Sequence, residues 1–158
     1  MSIAVRPARP GDVATILRLI RALATYERQP DAVRATEASL TATLFADNTN
    51  VRAHVAETEE RIIGLAVWFL NYSTWTGRPG IYLEDLVVDE GSRGAGAGRA
   101  LFRALGREAQ VLGCARIDWA VLDWNRPAMD FYRAIGGEPQ AGWQPWRIEG
   151  AALRALAE

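Results

Sequence analysis

Arg93-Gly94-Ala95-Gly96-Ala97-Gly98-Arg99 constrains this chain more than any other stretch. It follows a mostly apolar strand candidate at 81–88. It leads into a helix predicted over 98–112, with Leu101, Leu105, Ala109 and Leu112 on one face. A strand must therefore become a helix through a glycine-rich turn at 89–97. Glycine lets the backbone turn tightly and leaves no Cβ between it and a ligand. The N–H groups at the start of such a helix point at one place. They form a nest for phosphate or pyrophosphate, aided by the helix dipole. Arg93 and Arg99 add charge-assisted contacts. A merely flexible turn has the same composition, so the loop alone leaves both readings open.

The remaining chain supplies the context. A short strand is predicted over 3–6, ended by Pro7. Gly11-Asp12 opens a helix whose apolar face is Val13, Ile16, Leu17, Ile20, Leu23 and Ala24, with Asp12 as N-cap and an end near Glu27. A weaker helix covers 36–45. Strands are predicted at 51–56, 61–72 and 81–88, joined by a polar Glu59-Glu60 turn and a Gly77-Arg78-Pro79-Gly80 turn. Gly113 stops the long helix. A strand over 115–122 follows, then a helix over 128–135 with Pro127 in its first turn and Gly136-Gly137 at its close. Residues 143–148 are predicted as a last strand and 151–157 as a terminal helix. Early hairpins with a late helix crossover imply an α/β fold: a mixed, largely antiparallel sheet flanked by helices. At 158 residues, 1–158 reads as a single domain.

Charge and residue usage exclude several functions. With 18 basic and 19 acidic side chains, the chain is not expected to bind nucleic acid or a membrane surface. All the basic residues are arginine, which excludes a lysine Schiff base, a P-loop lysine and a lysine general base. One cysteine, Cys114, and one histidine, His54, exclude a disulfide framework and a Cys- or His-based metal cluster, so no metal is expected. His54 reads as a buried residue of an edge strand and Cys114 as packing at a strand start. The N-terminus carries no signal-length apolar stretch. The longest apolar run, 62–70, falls short of the ~20 residues of a membrane span. A soluble, cytoplasmic protein is expected.

The dinucleotide pattern G-x-G-x-x-G fails in the loop, because Arg99 stands where the third glycine belongs. What fits is arginine, two residues, glycine, one residue, glycine: Arg93, Gly96 and Gly98. That resembles the acetyl-CoA pyrophosphate loop of the GCN5-related N-acetyltransferases, the GNAT superfamily. Asn125, Ala128, Phe131 and Tyr132 match a pattern common in that superfamily. Leu19 to Ala24 with Tyr26-Glu27, Tyr72-Ser73-Thr74-Trp75, Leu83-Glu84-Asp85 and Val121-Leu122-Asp123-Trp124-Asn125 are similar to the diamine acetyltransferase group. Within it they are most similar to the thialysine N-acetyltransferase branch. The likeness covers nearly the whole chain.

The resemblance implies an acetyl-CoA-dependent N-acetyltransferase acting on a small primary amine through a ternary complex, assembled as a homodimer. It places Arg93, Gly94, Ala95, Gly96, Ala97, Gly98 and Arg99 on the pyrophosphate. Asn125, Ala128 and Tyr132 fall on the cofactor as well. It assigns Leu86, Val87 and Val88 to a strand end that splays at a bulge, binds pantetheine through its backbone and polarises the acetyl carbonyl. Tyr132 becomes the general acid. Glu84 becomes the base, through water, and Glu84 and Asp85 hold a cationic substrate.

The chemistry agrees with those residue types. An alkylamine must lose a proton held with a pKa of about 10, and the departing thiolate needs a donor. A tyrosine remains protonated at neutral pH, and Tyr132 follows Asn125 by seven residues, two helical turns. Glu84 and Asp85, adjacent on a strand, are expected to face opposite ways. Glu27 at a helix end and Trp75 by cation–π contact are further substrate candidates, and Trp143 follows Gly142 as in the relatives. Each has a plainer alternative. Tyr132 can be a packing residue, Glu84 and Asp85 can pair with arginine, and Glu27 and Trp75 can be surface charge and core. Ser73-Thr74 stands where the spermidine/spermine branch has Asp-Pro, and Gln140-Ala141 where relatives place acidic residues. Long polycations should therefore be poorer substrates. A protein or peptide N-acetyltransferase and a non-catalytic acyl-CoA sensor are the alternative functions.

Overall fold

The structure is a computed structural model and describes residues 2–59 and 61–157. Glu60, half of the expected Glu59-Glu60 turn, lies outside the described residues. The chain divides into two compact units, 1–122 and 123–158.

The first unit is built on strands β1 (Ala4–Pro7), β2 (Val51–Glu57), β3 (Ile62–Ser73), β4 (Arg78–Val88) and β5 (Ile117–Asp118). They lie side by side in chain order, antiparallel except for the parallel pair β4–β5. Helix α1 (Val13–Tyr26), entered through a 3₁₀ turn at Pro10–Asp12, and helix α2 (Glu37–Leu44) cover one face. Ile16, Leu19 and Leu44 pack there with Ala53, Val55, Leu65, Val67 and Val87. Helix α3 (Ala97–Val111) covers the other, where Ala97, Leu101 and Leu105 meet Ala56, Ile63, Ala66, Trp68, Ile81 and Leu83. The period-2 alternation of β2 and β3 divides their side chains between the two cores, which accounts for the near-continuous apolar run of β3. The mixed sheet flanked by helices is thus the predicted one.

Local chemistry sets the helix ends. The Thr36 hydroxyl accepts from Ser39 N at 3.1 Å while the Ser39 hydroxyl accepts from Thr36 N at 2.9 Å, a reciprocal cap on α2. Gly113, at φ 68°, closes α3. Asp12 stands at the start of α1 but does not cap it. Its carboxylate turns back to accept from Arg9 N at 2.7 Å and from the Arg6 guanidinium at 2.7 and 3.1 Å.

Four expectations are corrected. The β3–β4 turn is residues 74–77, with Gly77 at φ 64°, and 78–80 already belong to β4. β5 has only two residues where 115–122 were expected. Alternating composition cannot make a strand without a partner, and β4 pairs with it only at Ile81 and Tyr82. Residues 143–148 form no strand. His54 is on an interior strand, because β2 lies between β1 and β3. Its Nδ1 accepts the Trp68 indole N–H at 3.0 Å, its Nε2 lies 3.6 Å from Glu108 Oε1, and burial pushes the imidazole pKa below its ordinary value. His54 is therefore a neutral core histidine carrying its proton on Nε2.

The second unit holds helices α4 (Arg126–Ala134) and α5 (Gly150–Ala155).

Candidate active site

Two features of β4 shape the first unit's surface. Val67 pairs with Asp85 and Trp68 with Leu83, so Glu84 is an inserted residue with no partner on β3. This bulge breaks the expected alternation. Leu83 packs toward α3, Val87 toward α1, and Glu84 projects from the kink between them, exposed. The second feature is the edge of β4 away from β3. Its pairing with β5 stops at Tyr82–Asp118, so 83–88 present an edge with no strand partner among the described residues. Leu86, Val87 and Val88 lie on that edge, where an extended ligand can add as a strand.

Beyond β4 the backbone makes the expected nest. Asp89 N donates to Ile63 O at 2.8 Å, and a 3₁₀ turn at Glu90–Ser92 follows. Gly94 lies at φ 81° and Gly96 at φ 94°, a region that favours glycine. Neither has a neighbour within 4 Å of a built Cβ, so conformation and not crowding demands glycine there. The first backbone bond into α3 is Ala100 N to Gly96 O at 2.9 Å. The N–H groups of Gly94, Ala95, Gly96, Ala97, Gly98 and Arg99 donate to no group among the described residues. They sit where the helix dipole is positive. The arrangement can cradle an anion. Arg99 is exposed beside it. Arg93 is held: its Nε donates to Val88 O at 3.4 Å and its guanidinium lies 4.7 Å above the Tyr26 ring.

The carboxylates lie on the same unit. Glu27 is the C-cap of α1, and burial pushes its pKa up. Asp85 is pushed up to about 6, by burial first and then by the charges of Glu84 and Glu27. The arginine pairing open from sequence is absent: among the described residues none of the three forms an ion pair within 4.0 Å. A half-buried carboxylate close to two others is held at a cost, and a cation binding there relieves it.

That cost has a sign and a test. A folded-state pKa raised from 3.8 to about 6 favours the folded chain below pH 3.8, and the favour is lost as pH rises through 6. Asp85→Asn stays neutral at every pH. At pH 8 it is expected to be more stable than the parent by on the order of 2 to 3 kcal/mol, with the gap closing toward pH 4. Paired thermal melts at the two pH values measure this. Equal melting temperatures at pH 8 would show that Asp85 is not desolvated.

Trp75 lies elsewhere. It is 87% exposed on the β3–β4 turn, before the start of β4, whereas Glu84 lies past the middle of the strand. Glu84 is six positions along β4 from Arg78, roughly 20 Å at ~3.3 Å each. The first unit thus brings together the nest, the bare edge and the three carboxylates, but not Trp75.

The second unit carries the remaining candidates. Asn125 is 7% exposed and caps α4, its side chain accepting from Ala128 N at 3.4 Å, while Pro127 occupies the first turn. Tyr132 is half-buried near the end of α4, with its ring 5.5 Å from that of Phe131. Trp143 is exposed. Sequence reasoning attached no role to Arg18, Arg61 or Asp89. Their pairing joins residues far apart in the chain, so no local pattern marks it.

A model of the Acetyltransferase (GNAT) family matches residues 15–136, from the first helix to the end of α4. The chain belongs to the GNAT acetyltransferase family. The GNAT chain is 39% identical over 164 residues to the thialysine N-epsilon-acetyltransferase of Bos taurus, covering 97% of this chain and 96% of that protein. It is 26% identical to an L-ornithine N5-acetyltransferase of Arabidopsis thaliana, covering 96% and 86%. Among solved structures, an integron cassette protein from the mobile metagenome of V. cholerae superposes with a TM-score of 0.82 at 25% identity, covering 100% and 99%. The chain is therefore an N-acetyltransferase of the GNAT type. Among the described residues no group of three or more His, Cys, Asp or Glu is placed to hold a metal ion, and no helix is long and apolar enough to cross a membrane.

Proposed function

We propose that this GNAT enzyme transfers the acetyl group of acetyl-CoA to a small primary amine, either a diamine or a lysine-like amino acid such as thialysine, within a ternary complex. The observation that supports it most is the unpaired acidic group Glu27, Glu84 and Asp85, next to the edge of β4 that runs into the anion cradle. Asp85 feels the charges of Glu84 and Glu27, yet the three are not placed to hold a metal ion. That spread suits an organic ammonium carried on a chain. The relatives named for thialysine and ornithine acetylation point to the same class of acceptor.

The cradle and the bare strand edge fit a pyrophosphate joined to an extended amide chain, and bound acetyl-CoA supplies the acetyl group as a thioester. The N–H groups of residues 94–99 face the pyrophosphate, with Arg93 and Arg99 adding charge. Backbone groups at Leu86, Val87 and Val88 hold the pantetheine and polarise the acetyl carbonyl. Asn125 and Ala128 contact the cofactor. Asp85 and Glu27 hold the ammonium, and Glu84 at the bulge takes its proton through water. Tyr132 Oη is the donor for the leaving sulfur, a phenol being an ordinary proton donor near neutral pH. Residues 1–158 act as one acetyltransferase domain, as a homodimer in the cytoplasm, with neither nucleic acid nor membrane as partner and no metal.

A turnover screen with acetyl-CoA across diamines, polyamines, thialysine and lysine tests this. Short amines and lysine-like amino acids are expected to release coenzyme A fastest. Polyamines should be slower, because Ser73-Thr74 and Gln140-Ala141 lack acidic contacts. Coenzyme A binding without turnover of any amine would instead favour an acyl-CoA sensor. Turnover confined to peptides would move the acceptor to a protein.

A further inference from the structure

The shape of the anion cradle depends on the hinge that leads into it. Six successive N–H groups find no partner among the described residues, and two of the glycines lie at positive φ. Such a nest binds an anion only while its backbone keeps this shape, so what fixes the loop's hinge bears on binding. Asp89 stands at that hinge, between β4 and the loop. Its carboxylate is 12% exposed and accepts three bonds. Arg18 of α1 grips it with both nitrogens, Nη1 to Oδ1 at 2.8 Å and Nη2 to Oδ2 at 3.2 Å. Arg61, beside β3, donates Nη1 to Oδ2 at 3.2 Å. The Asp89 backbone is engaged too, N to Ile63 O and O from Ser92 N, each at 2.8 Å. Every hydrogen-bonding group of Asp89 is therefore used, and the hinge is pinned to α1, β3 and the first turn of the loop.

We infer that Arg18, Arg61 and Asp89 are positioning residues that hold the cradle in its anion-binding shape. The inference rests on the cradle being the coenzyme A site. Two guanidinium groups face one carboxylate, so the clamp also leaves a net positive charge beside a site built for an anion. Isolated surface pairs contribute little, but here the carboxylate is nearly covered and the grip is bidentate, the geometry in which arginine cannot be replaced by lysine without loss.

The test is a calorimetric titration of the full-length protein with coenzyme A, beside the KM of each substrate, for the parent, Arg18→Met and Arg18→Lys. Arg18 is half-exposed, so the Met variant retains its aliphatic packing on α1. Coenzyme A affinity is expected to fall about 3- to 30-fold in Arg18→Met, a usual size for a residue acting without touching the ligand. The fall should be smaller in Arg18→Lys, and KM for the amine should stay unchanged. A lower melting temperature with unchanged coenzyme A affinity would overturn the positioning role and leave a purely structural pair. A parent that does not bind coenzyme A would overturn both this inference and the assignment of the cradle.

Discussion

Tyr132→Phe is expected to lower kcat by about 10²- to 10⁴-fold at saturating acetyl-CoA and amine, the usual worth of a positioned general acid. The substitution keeps the ring that packs near Phe131 and leaves the Tyr132 carbonyl to accept from Ile135 N and Gly137 N, so α4 should close as before. Only the phenolic hydroxyl is removed. Ring packing alone would give almost no change in rate, so the two roles separate on one variant. A titration with coenzyme A belongs beside the kinetics. A lost rate at unchanged affinity supports the acid role. A kcat within about threefold of the parent would make Tyr132 a structural residue and pass the proton to solvent or the substrate ammonium. Loss of rate and affinity together would assign the hydroxyl to holding the cofactor.

Gly96→Glu is expected to abolish coenzyme A binding. Two effects add. Gly96 lies at φ 94° as the N-cap of α3, and a side chain there carries about 1–3 kcal/mol of strain. The carboxylate would also stand at the positive end of the helix dipole, where the pyrophosphate belongs. Gly96→Ala carries the strain without the charge and should bind with intermediate affinity. Nothing lies within 4 Å of the built Cβ, so neither variant crowds the core and both should fold. Calorimetry of the three proteins measures the order. Equal affinity in the glutamate variant would remove the pyrophosphate from this loop.

Much of the first unit was legible in the residues because its determinants are local. The apolar faces of α1 and α3 repeat at helical spacing, and their boundaries fall within a few residues of expectation because that periodicity and the flanking glycines act over one turn. The cradle was readable for the same reason: a left-handed backbone needs glycine, and Gly94 and Gly96 declare it. β3 was visible as an apolar run because both of its faces are covered.

What the chain does across long separations was not legible. The bulge was expected only through the family resemblance; its place at Glu84 is set by the register between β3 and β4, and no residue type announces it. Residues 115–122 look like a strand from end to end, yet two residues pair, and that early stop is what bares the edge of β4. Gly80 resembles a turn glycine but is buried in β4, its built Cβ 2.6 Å from Asn71 Oδ1, so cross-strand closeness and not turning demands it.

The amino-acid sequence by itself determined the helices, the glycine loop and the kinship with GNAT acetyltransferases, because propensity, periodicity and backbone freedom act between near neighbours. Tertiary structure alone decided the electrostatics. It left Glu27, Glu84 and Asp85 without arginine partners in a chain with 18 basic residues, and gave Asp89 two. It placed Trp75 on the turn before β4 and Glu84 past the middle of that strand. Charge pairing depends on distances through space and on burial, and both are set only when the strands and helices have packed.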